Sequence, residues 1–531
     1  MSKRVKAWTG RPVVETRYGV VRGFADQAST WVWKAIPFAR PPIGELRWKA
    51  PRDPQPWDEI REETELSGRA CQNRLLTDSI IGSEDCLYLN VVRPQSAEKD
   101  LPVYFWIHGG SNTNQQPIHK IAHGANVAGQ SNVVFVSIDY RLGEFGWFSH
   151  PALRTGRPGD EHDDSGNYGI LDIIKALEWV RDNIEAFGGN PDNVFVSGQS
   201  AGGYNALTLM ISPVAKKLFH KAMSQSGGAR TCSVETGDDR ADAVIAHLLV
   251  RDRTVSNLVE AEKYRKNMTL KEIAAYLRGK PFAEFYACRP SVPFVMCSFA
   301  DGAVIPTDGF SLLEAGTYPS KIPIILGTNK EEWKFKIFFR NAFSDDEELC
   351  QNIVGFGSDL WKVSGVDGLL RKLRANAGQP NVYGYQFCWG ARRPDGKSPL
   401  PEPLATKLGA VHTMDIPFFF NLERIFGPID SEIFTAENRH GREALSRVMM
   451  TYVAQFMRTG DPNQAGVDLP KWEPWSNRVG GPKCIIFDAD GNIPDIRMTT
   501  EELTEEGVRA RINALPEPLL SRVKKAIADG Y

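Results

Sequence analysis

The sequence predicts an α/β protein in which a large, mostly parallel sheet is covered by helices on both faces. Three short apolar runs, at 102–107, 132–138 and 193–197, are typical of strands buried on both sides. Between the second and third runs, apolar residues from Ile170 to Ile184 recur at helical spacing. Alternation of strand, helix and strand requires crossover connections, which favour parallel neighbours.

The domain organisation follows from length and from the absence of linkers. The chain has 531 residues, 42% of them hydrophobic, which is enough for a large core. No Gly/Ser/Pro-rich linker and no repeat of 20–50 residues divides it. We therefore expect a single domain over 1–531. Two segments, about 230–320 and 335–400, are interpreted as insertions over the sheet rather than separate domains.

Charge and hydropathy restrict the class of partner. Lys plus Arg total 63 and Asp plus Glu total 65, so a net charge of −2 gives no electrostatic reason to expect a nucleic acid. No run of about 18 apolar residues predicts a membrane span. The first ten residues contain no apolar stretch, which favours a cytoplasmic protein, or a secreted or periplasmic one if a signal peptide was removed. The oligomeric state stays open.

Eight cysteines are spread over the chain without a CxxC spacing, so no structural zinc site is expected. The chemistry described next needs neither a metal nor an organic cofactor.

A candidate nucleophile lies in Gly198-Gln199-Ser200-Ala201-Gly202, which matches G-x-S-x-G. The motif directly follows the apolar run 193–197 and precedes a plausible helix. Such a turn lifts the serine hydroxyl above the sheet beside a helix N-terminus, and side chains at 198 and 202 would collide with neighbouring elements. The alternative is an ordinary strand-to-helix turn. The context favours Ser200 as a nucleophile.

With this motif, the chain resembles the type-B carboxylesterase and cholinesterase family of α/β-hydrolases. The resemblance runs in order along almost the whole chain and weakens between about 230 and 290. It implies the α/β-hydrolase fold and hydrolysis of carboxylic esters by a Ser-His-Glu triad. The segments that carry it, besides the serine motif, are AIPFA (35–39), GELRW (44–48), SEDCLYLNV (83–91), GNYGILD (166–172), FGGNP (187–191) and TGDPN (459–463).

The general base must follow the serine and the acid in the chain order of this fold. Four histidines follow Ser200. His220 is too close to Ser200 for an acid-bearing strand to lie between them, and His247 lies in a helical stretch of the first insertion, again before any such strand. His440 lies in the polar segment that precedes a helix, which is typical of a surface residue. His412 lies in a segment that resembles the family's catalytic-histidine loop, and it is the candidate base. A structural histidine is the alternative.

The acid is expected at the end of a strand before His412. An apolar run at 322–326 is followed by a loop that resembles the family's glutamate loop. The resemblance assigns the role to Glu332. Trp333 stands where the family usually has glycine, so Glu331 remains the alternative.

The oxyanion hole is assigned from the resemblance of His108-Gly109-Gly110-Ser111 to the family's glycine-rich loop. It implies backbone N–H donors from Gly110, Ser111 and Ala201, and Ser111 stands where the family usually has a third glycine. A tight turn after a strand is the alternative. Ser226 matches a family serine that supports the acid, although a plain loop hydroxyl is equally consistent with the sequence.

The resemblance also implies a disulfide between Cys71 and Cys86 in an oxidising compartment, with the other six cysteines mostly free. A reducing cytosol would keep this pair as thiols.

The substrate is expected to be a neutral small-molecule ester, and the chain resembles a microbial-type carboxylesterase rather than a cholinesterase. The segment 72–85 contains no aromatic residue to bind a quaternary ammonium, and Gln199 stands where cholinesterases have an acid. The alternatives are a non-catalytic esterase-like binding or adhesion protein, and an amide or carbamate hydrolase that uses the same triad.

Overall fold

An eleven-stranded sheet forms the centre of the computed structural model, which describes residues 5–26, 28–65, 69–74, 79–115, 124–336 and 346–529. Its strands in chain order are β1 (Phe24–Asp26), β2 (Thr30–Pro37), β3 (Tyr88–Pro94), β4 (Leu101–Ile107), β5 (Val134–Ile138), β6 (Gly189–Gln199), β7 (Lys221–Gln225), β8 (Ile324–Asn329), β9 (Val382–Phe387), β10 (Cys484–Ala489) and β11 (Pro494–Met498).

The strand order is β11-β10-β9-β8-β7-β6-β4-β5-β3-β2-β1. Strands β4 to β10 pair in parallel, while β1, β2 and β3 at one edge and β11 at the other pair antiparallel. The predicted large, mostly parallel sheet is therefore confirmed. Because β6, β7 and β8 are adjacent and parallel, their carboxyl ends meet at one edge, where ligands bind in open α/β sheets.

Helices cover both faces of the sheet. Those between β4 and β7 are α1 (Ala125–Ser131), α2 (Gly143–Gly146), α3 (Tyr168–Asn183) and α4 (Ala201–Ile211). Those between β7 and β8 are α5 (Val234–Arg251), α6 (Leu258–Asn267), α7 (Leu270–Arg278), α8 (Phe282–Cys288) and α9 (Leu312–Ala315). The rest are α10 (Glu347–Lys362), α11 (Gly368–Ala375), α12 (Leu404–Lys407), α13 (Ile416–Phe420), α14 (Asp430–Ile433), α15 (Arg439–Thr459), α16 (Glu505–Asn513) and α17 (Leu519–Ala528).

Two-sided burial explains the continuous apolar runs. In β4, Val103 and Phe105 pack into the core with α3 and α5, whereas Tyr104 and Trp106 pack into the core with α13 and α15. Successive side chains of a strand point to opposite faces, so a strand between two helical layers is typically apolar at nearly every position.

The second predicted insertion, 335–400, is wrong in part. It contains β9, which lies between β8 and β10 as the third strand from one edge of the sheet. Gly384 and Gln386 interrupt the apolar run of this strand, so the periodicity that revealed β4 and β5 is missing here. Residues 337–345 of the segment lie outside the described part of the chain. The first segment, 230–320, contains α5 to α9, and the single-domain organisation stays a prediction.

Cysteine pairing differs from the expectation at one pair. Cys71 and Cys86 are thiols, the state expected in a reducing compartment, whereas the disulfide of the described chain joins Cys232 to Cys297, which the sequence did not predict. Burial raises the pKa of Cys71 to about 12 and that of Cys86 well above its ordinary value, which disfavours the thiolate that forms disulfides. The short parallel pair of 231–232 with 298–299 brings the Cα atoms of Cys232 and Cys297 to 5.9 Å.

No helix in the described ranges is long and apolar enough to cross a membrane. The cellular location stays a prediction.

Candidate active site

The serine motif forms a strained turn between β6 and α4. Ser200 has φ 55° and ψ −123°, a backbone conformation that is rare for a residue with a side chain. A Cβ at Gly198 would lie 2.4 Å from the carbonyl carbon of Gly202, and one at Gly202 would lie 2.1 Å from the carbonyl oxygen of Ile107. Both glycines are therefore required by space, as the motif predicts, and the turn leaves Ser200 partly exposed at the sheet edge.

His412 and Glu332 form a buried pair at the same edge. His412 Nδ1 and Glu332 Oε2 are hydrogen-bonded, and the two side chains are 8% and 0% exposed. The histidine loop lies beside the acid loop because Glu331 and Val411 form a parallel bridge immediately before each residue. The structure thus brings together the base and the acid that the sequence assigned.

Glu332 is held as a carboxylate by three further donors. Its Oε1 accepts hydrogen bonds from Ser226 Oγ at 2.5 Å, Thr328 Oγ1 at 2.8 Å and the Asn329 backbone N–H at 2.7 Å. Burial alone would raise the pKa of Glu332, but His412 and these donors outweigh it and hold the pKa below its ordinary value. Ser226, at the end of β7, therefore contacts the acid as the sequence expectation requires.

The alternative acid, Glu331, faces away from the imidazole. Its Oε2 accepts the backbone N–H of Ala410 at 2.9 Å, and its Oε1 lies 2.8 Å from Lys334 Nζ. Glu331 thus fixes the position of the histidine loop, while the neighbouring glutamate bonds to the ring.

Trp333, which stands where the family usually has glycine, belongs to a separate small core. Its backbone N–H donates to Ser358 Oγ at 3.1 Å, and a Cβ at Gly357 would lie 2.1 Å from its indole ring. The indole therefore fits against α10 only because position 357 lacks a side chain. The other buried members of this core come from α10, α16 and α17: Leu349, Ile353, Val508, Ile512, Val523 and Ala526. The two C-terminal helices thereby support the acid loop.

The glycine-rich loop lies beside the serine, because a Cβ at Gly109 would be 3.2 Å from Ser200 Cβ. Gly110 and Ser111 both have positive φ, 104° and 56°. The backbone N–H groups of Gly110, Ser111 and Ala201 donate to no acceptor within the described chain. Three such N–H groups around a serine could stabilise an oxyanion.

An amide pair fixes this loop to α4. Asn112 and Asn205 exchange hydrogen bonds of 3.2 and 3.0 Å, and Tyr140 OH donates to the carbonyl oxygen of His108 at 2.8 Å. His108 stacks on Tyr140, and burial lowers the pKa of His108 to about 4, so its ring stays neutral. The loop and α4 are thus joined through Asn205.

Substitutions at Ser111 test the backbone assignment. Because the donor is an N–H group, we expect Ser111→Gly to retain activity and to relieve the strain of a Cβ at φ 56°. Ser111→Ala keeps the Cβ and should also retain activity. Proline removes the N–H and cannot adopt this φ, so it should lower kcat at least about 10²-fold. An inactive but folded alanine variant, judged by kcat and by thermal unfolding, would indicate a role for the hydroxyl instead.

Sequence reasoning missed a polar network behind the acid. Asn329 Nδ2 donates to Ser226 Oγ at 3.3 Å and to Asp415 Oδ1 at 3.2 Å, and Tyr385 OH donates to Asp415 Oδ2 at 2.7 Å. Burial raises the pKa of Asp415 to about 6, although these donors oppose the shift. The available signal was positional, since Asn329 ends an apolar strand and Asp415 follows His412 by three residues.

Among the described residues, Gln199, Phe335 and Trp361 contact the His412 ring besides Glu332. Gln199 Nε2 lies 3.2 Å from His412 Nε2, while Ser200 Oγ makes no hydrogen bond to the ring within the described structure. Bonds between nucleophile and base are often long without substrate and tighten when it binds. The rings of Phe335 and Trp361 lie against the imidazole, with centroid separations of 4.9 and 5.0 Å.

Comparisons with known proteins show the family of the chain. The profile of the Carboxylesterase family matches residues 10–353 and 341–481. The medium-chain fatty acyl-CoA hydrolase precursor of Anas platyrhynchos is 31% identical over an alignment of 530 residues. The alignment covers 87% of this chain and 87% of that protein. Para-nitrobenzyl esterase of Bacillus subtilis is 30% identical over 493 residues, covering 87% and 92%.

Solved structures extend the agreement to the fold. A carboxylesterase of Geobacillus stearothermophilus superposes with a TM-score of 0.71 at 29% identity, covering 94% of this chain and 99% of that chain. A PNB esterase superposes with a TM-score of 0.67 at 27% identity, covering 96% and 100%. The expected α/β-hydrolase fold is confirmed, and the chain belongs to the carboxylesterase family.

Proposed function

We propose that this protein hydrolyses carboxylic esters through an acyl-enzyme formed on Ser200. The observation that carries the proposal is the strained, partly exposed Ser200 beside a histidine that is itself paired with a buried glutamate. A serine hydroxyl becomes a useful nucleophile only when a base can accept its proton, and the base needs a third group to orient it. All three groups meet at the carboxyl edge of the sheet.

In the acylation step, Ser200 Oγ attacks the ester carbonyl carbon while His412 Nε2 accepts the hydroxyl proton. The negative charge that develops on the carbonyl oxygen is stabilised by the N–H groups of Gly110, Ser111 and Ala201. His412 then gives the proton to the departing alcohol oxygen. Water repeats the sequence on the acyl-enzyme and releases the acid, and Glu332 stabilises the imidazolium in both halves.

Covalent labelling tests the assignment of the nucleophile. An organophosphate should modify the protein in a 1:1 ratio and abolish ester hydrolysis in parallel with modification. Peptide mass spectrometry should place the adduct on Ser200. An adduct on another serine, with Ser200 unmodified and activity lost, would contradict the proposal.

We further propose that the substrates are neutral esters. Cations bind to aromatic faces, most strongly when the site is desolvated. The described residues of the 72–85 segment, 72–74 and 79–85, include no aromatic residue. The side chain beside the nucleophile, Gln199, is uncharged. The similar para-nitrobenzyl esterase makes p-nitrobenzyl esters suitable neutral assay substrates.

A pair of isosteric esters checks the preference. One is a choline ester, and the other replaces its nitrogen by carbon and so carries no charge. We expect kcat/KM to be higher for the neutral ester, because no acidic residue beside the serine compensates the cost of removing the cation from water. A clear preference for the choline ester would contradict this part of the proposal.

A further inference from the structure

Gln199 is the side chain that contacts Nε2 of the base, His412. Its amide nitrogen lies 3.2 Å from His412 Nε2, and both side chains are buried. Its other polar atom, Oε1, is buried and has no hydrogen-bond partner within the described structure. Gln199 therefore has one atom on the imidazole and one unsatisfied acceptor close to it.

This contact bears on the protonation of the ring. An amide nitrogen is only a donor, so with the amide in this orientation the contact favours a His412 Nε2 that accepts and carries no proton. The proton of the neutral ring then lies on Nδ1, which donates to the Glu332 carboxylate. This is the tautomer that a general base requires, because Nε2 keeps the lone pair that takes the serine proton.

We propose that Gln199 is a positioning residue that hydrogen-bonds His412 in both of its protonation states. This inference rests on the proposed function, in which His412 is the base. In the resting enzyme the Gln199 amide donates to Nε2 and holds the reactive tautomer. When the serine proton moves to Nε2, a donor would face a donor. Rotation of the amide about its terminal bond exchanges its two atoms and presents the unsatisfied Oε1 to the imidazolium N–H.

The arrangement also orders the steps of the reaction. Gln199, and not Ser200, is the hydrogen-bond partner of Nε2 in the structure. When substrate enters, the serine hydroxyl must therefore replace the amide as the hydrogen-bond donor to His412 Nε2. In the described structure the amide nitrogen bonds to no acceptor other than Nε2, so its return to Nε2 after each turnover would restore the tautomer.

The charges around the His412 ring distinguish the proposed hydrogen-bonding role of Gln199 from a general electrostatic effect. Among the described residues, carboxylates that interact electrostatically with His412 are Glu332, from the loop after β8, and Asp415, from its own turn. Tyr204 and Tyr385 interact with the Glu332 carboxylate, and burial raises the pKa of both, so both are neutral. An acid in place of Gln199 would add a third carboxylate, and it would accept from Nε2 without being able to donate.

Two near-isosteric variants and a matched control test the proposal. Gln199→Met keeps the length of the side chain and removes both hydrogen-bonding atoms, whereas Gln199→Glu keeps the shape and leaves only acceptors. Gln379→Met is the control for replacing a buried glutamine, because Gln379 bonds to Tyr318 and to the backbone of Ile322.

We expect Gln199→Met to lower kcat by about 5-fold, the effect of one neutral hydrogen bond, with KM changed less than about 2-fold. Gln379→Met should leave both constants unchanged. Gln199→Glu should reduce kcat/KM at pH 7 further and recover it at higher pH, because the carboxylate favours a proton on Nε2. In ¹⁵N-histidine-labelled protein, Nε2 of His412 should be unprotonated in the native enzyme and protonated in Gln199→Glu.

Native kcat and an unchanged tautomer in Gln199→Met would overturn the inference, as would a Gln199→Glu enzyme with a native pH profile. Organophosphate labelling of Ser200 in each variant is measured in parallel. Labelling that persists while the Gln199 variants behave like the native enzyme rejects the role of Gln199 alone. Absence of Ser200 labelling in the native enzyme rejects the proposed function itself.

Discussion

Ser200→Ala is expected to lower kcat for ester hydrolysis by about 10⁶-fold, the loss measured when the nucleophile of a serine triad is removed. The methyl group retains the Cβ that the turn already accommodates at φ 55°, so the fold should not change. What disappears is the only oxygen in the turn that could form the acyl-enzyme. Steady-state hydrolysis of a p-nitrobenzyl ester measures the loss, and thermal unfolding checks that the variant is folded.

Ser212→Ala provides the matched control for this change. Ser212 is a buried serine at the opposite end of α4, and its hydroxyl donates to the carbonyl oxygen of Val304 at 2.7 Å. This variant should lose stability but retain its organophosphate labelling and its kcat. Substantial hydrolysis by Ser200→Ala, beyond that of the uncatalysed reaction and the oxyanion hole, would show that another residue carries the acyl group.

Glu332→Gln should lower kcat by about 10⁴-fold, the magnitude seen when the acid of a serine triad is neutralised. The amide no longer stabilises the imidazolium, and its NH₂ group, if turned towards Nδ1, favours the wrong tautomer. Glu332 also accepts from Ser226, Thr328 and Asn329, so the variant disturbs those bonds as well. Thermal unfolding separates that loss of stability from the loss of rate.

Glu331→Gln is the natural comparison, one residue away in the same loop. It weakens the ion pair with Lys334 but keeps an oxygen that can accept the N–H of Ala410. We expect kcat to fall less than about 10-fold, the scale of one weakened polar contact. Equal losses in the two variants would contradict the assignment of the acid to Glu332. A larger loss in Glu331→Gln would assign the acid to Glu331 instead.

The sheet was predictable where burial leaves a strong pattern and unpredictable where it does not. β4 and β5 lie between two helical layers and are apolar at nearly every position, so the sequence reveals them. β6 extends well before the predicted 193–197, because Gly189 pairs with Leu101 before a register shift. β8 continues through Gly327-Thr328-Asn329, which the apolar run did not include, because the last two residues turn polar groups to the acid.

The sequence motifs predicted individual residues of the candidate site but not the contacts around them. The motifs identify Ser200, Glu332 and His412, but the contacts among their neighbours arise where distant segments meet. The Gln199 contact with His412 spans 213 positions, and the Asn329 contact with Asp415 spans 86. Such pairs depend on how loops cross the sheet edge, which neither composition nor periodicity contains. The Cys232–Cys297 disulfide, closed across a two-residue strand pair, escaped prediction for the same reason.

The fit of Trp333 against Gly357 has an evolutionary consequence. Any side chain at 357 would overlap the indole, so the two positions are not free to change independently. The glycine must be present before the tryptophan can arise, and the tryptophan must be lost before the glycine can be replaced. Among relatives, large residues at the position after the catalytic acid should therefore coincide with glycine on the facing helix. Relatives that retain a small residue beside the acid should accept a broader range of side chains on that helix.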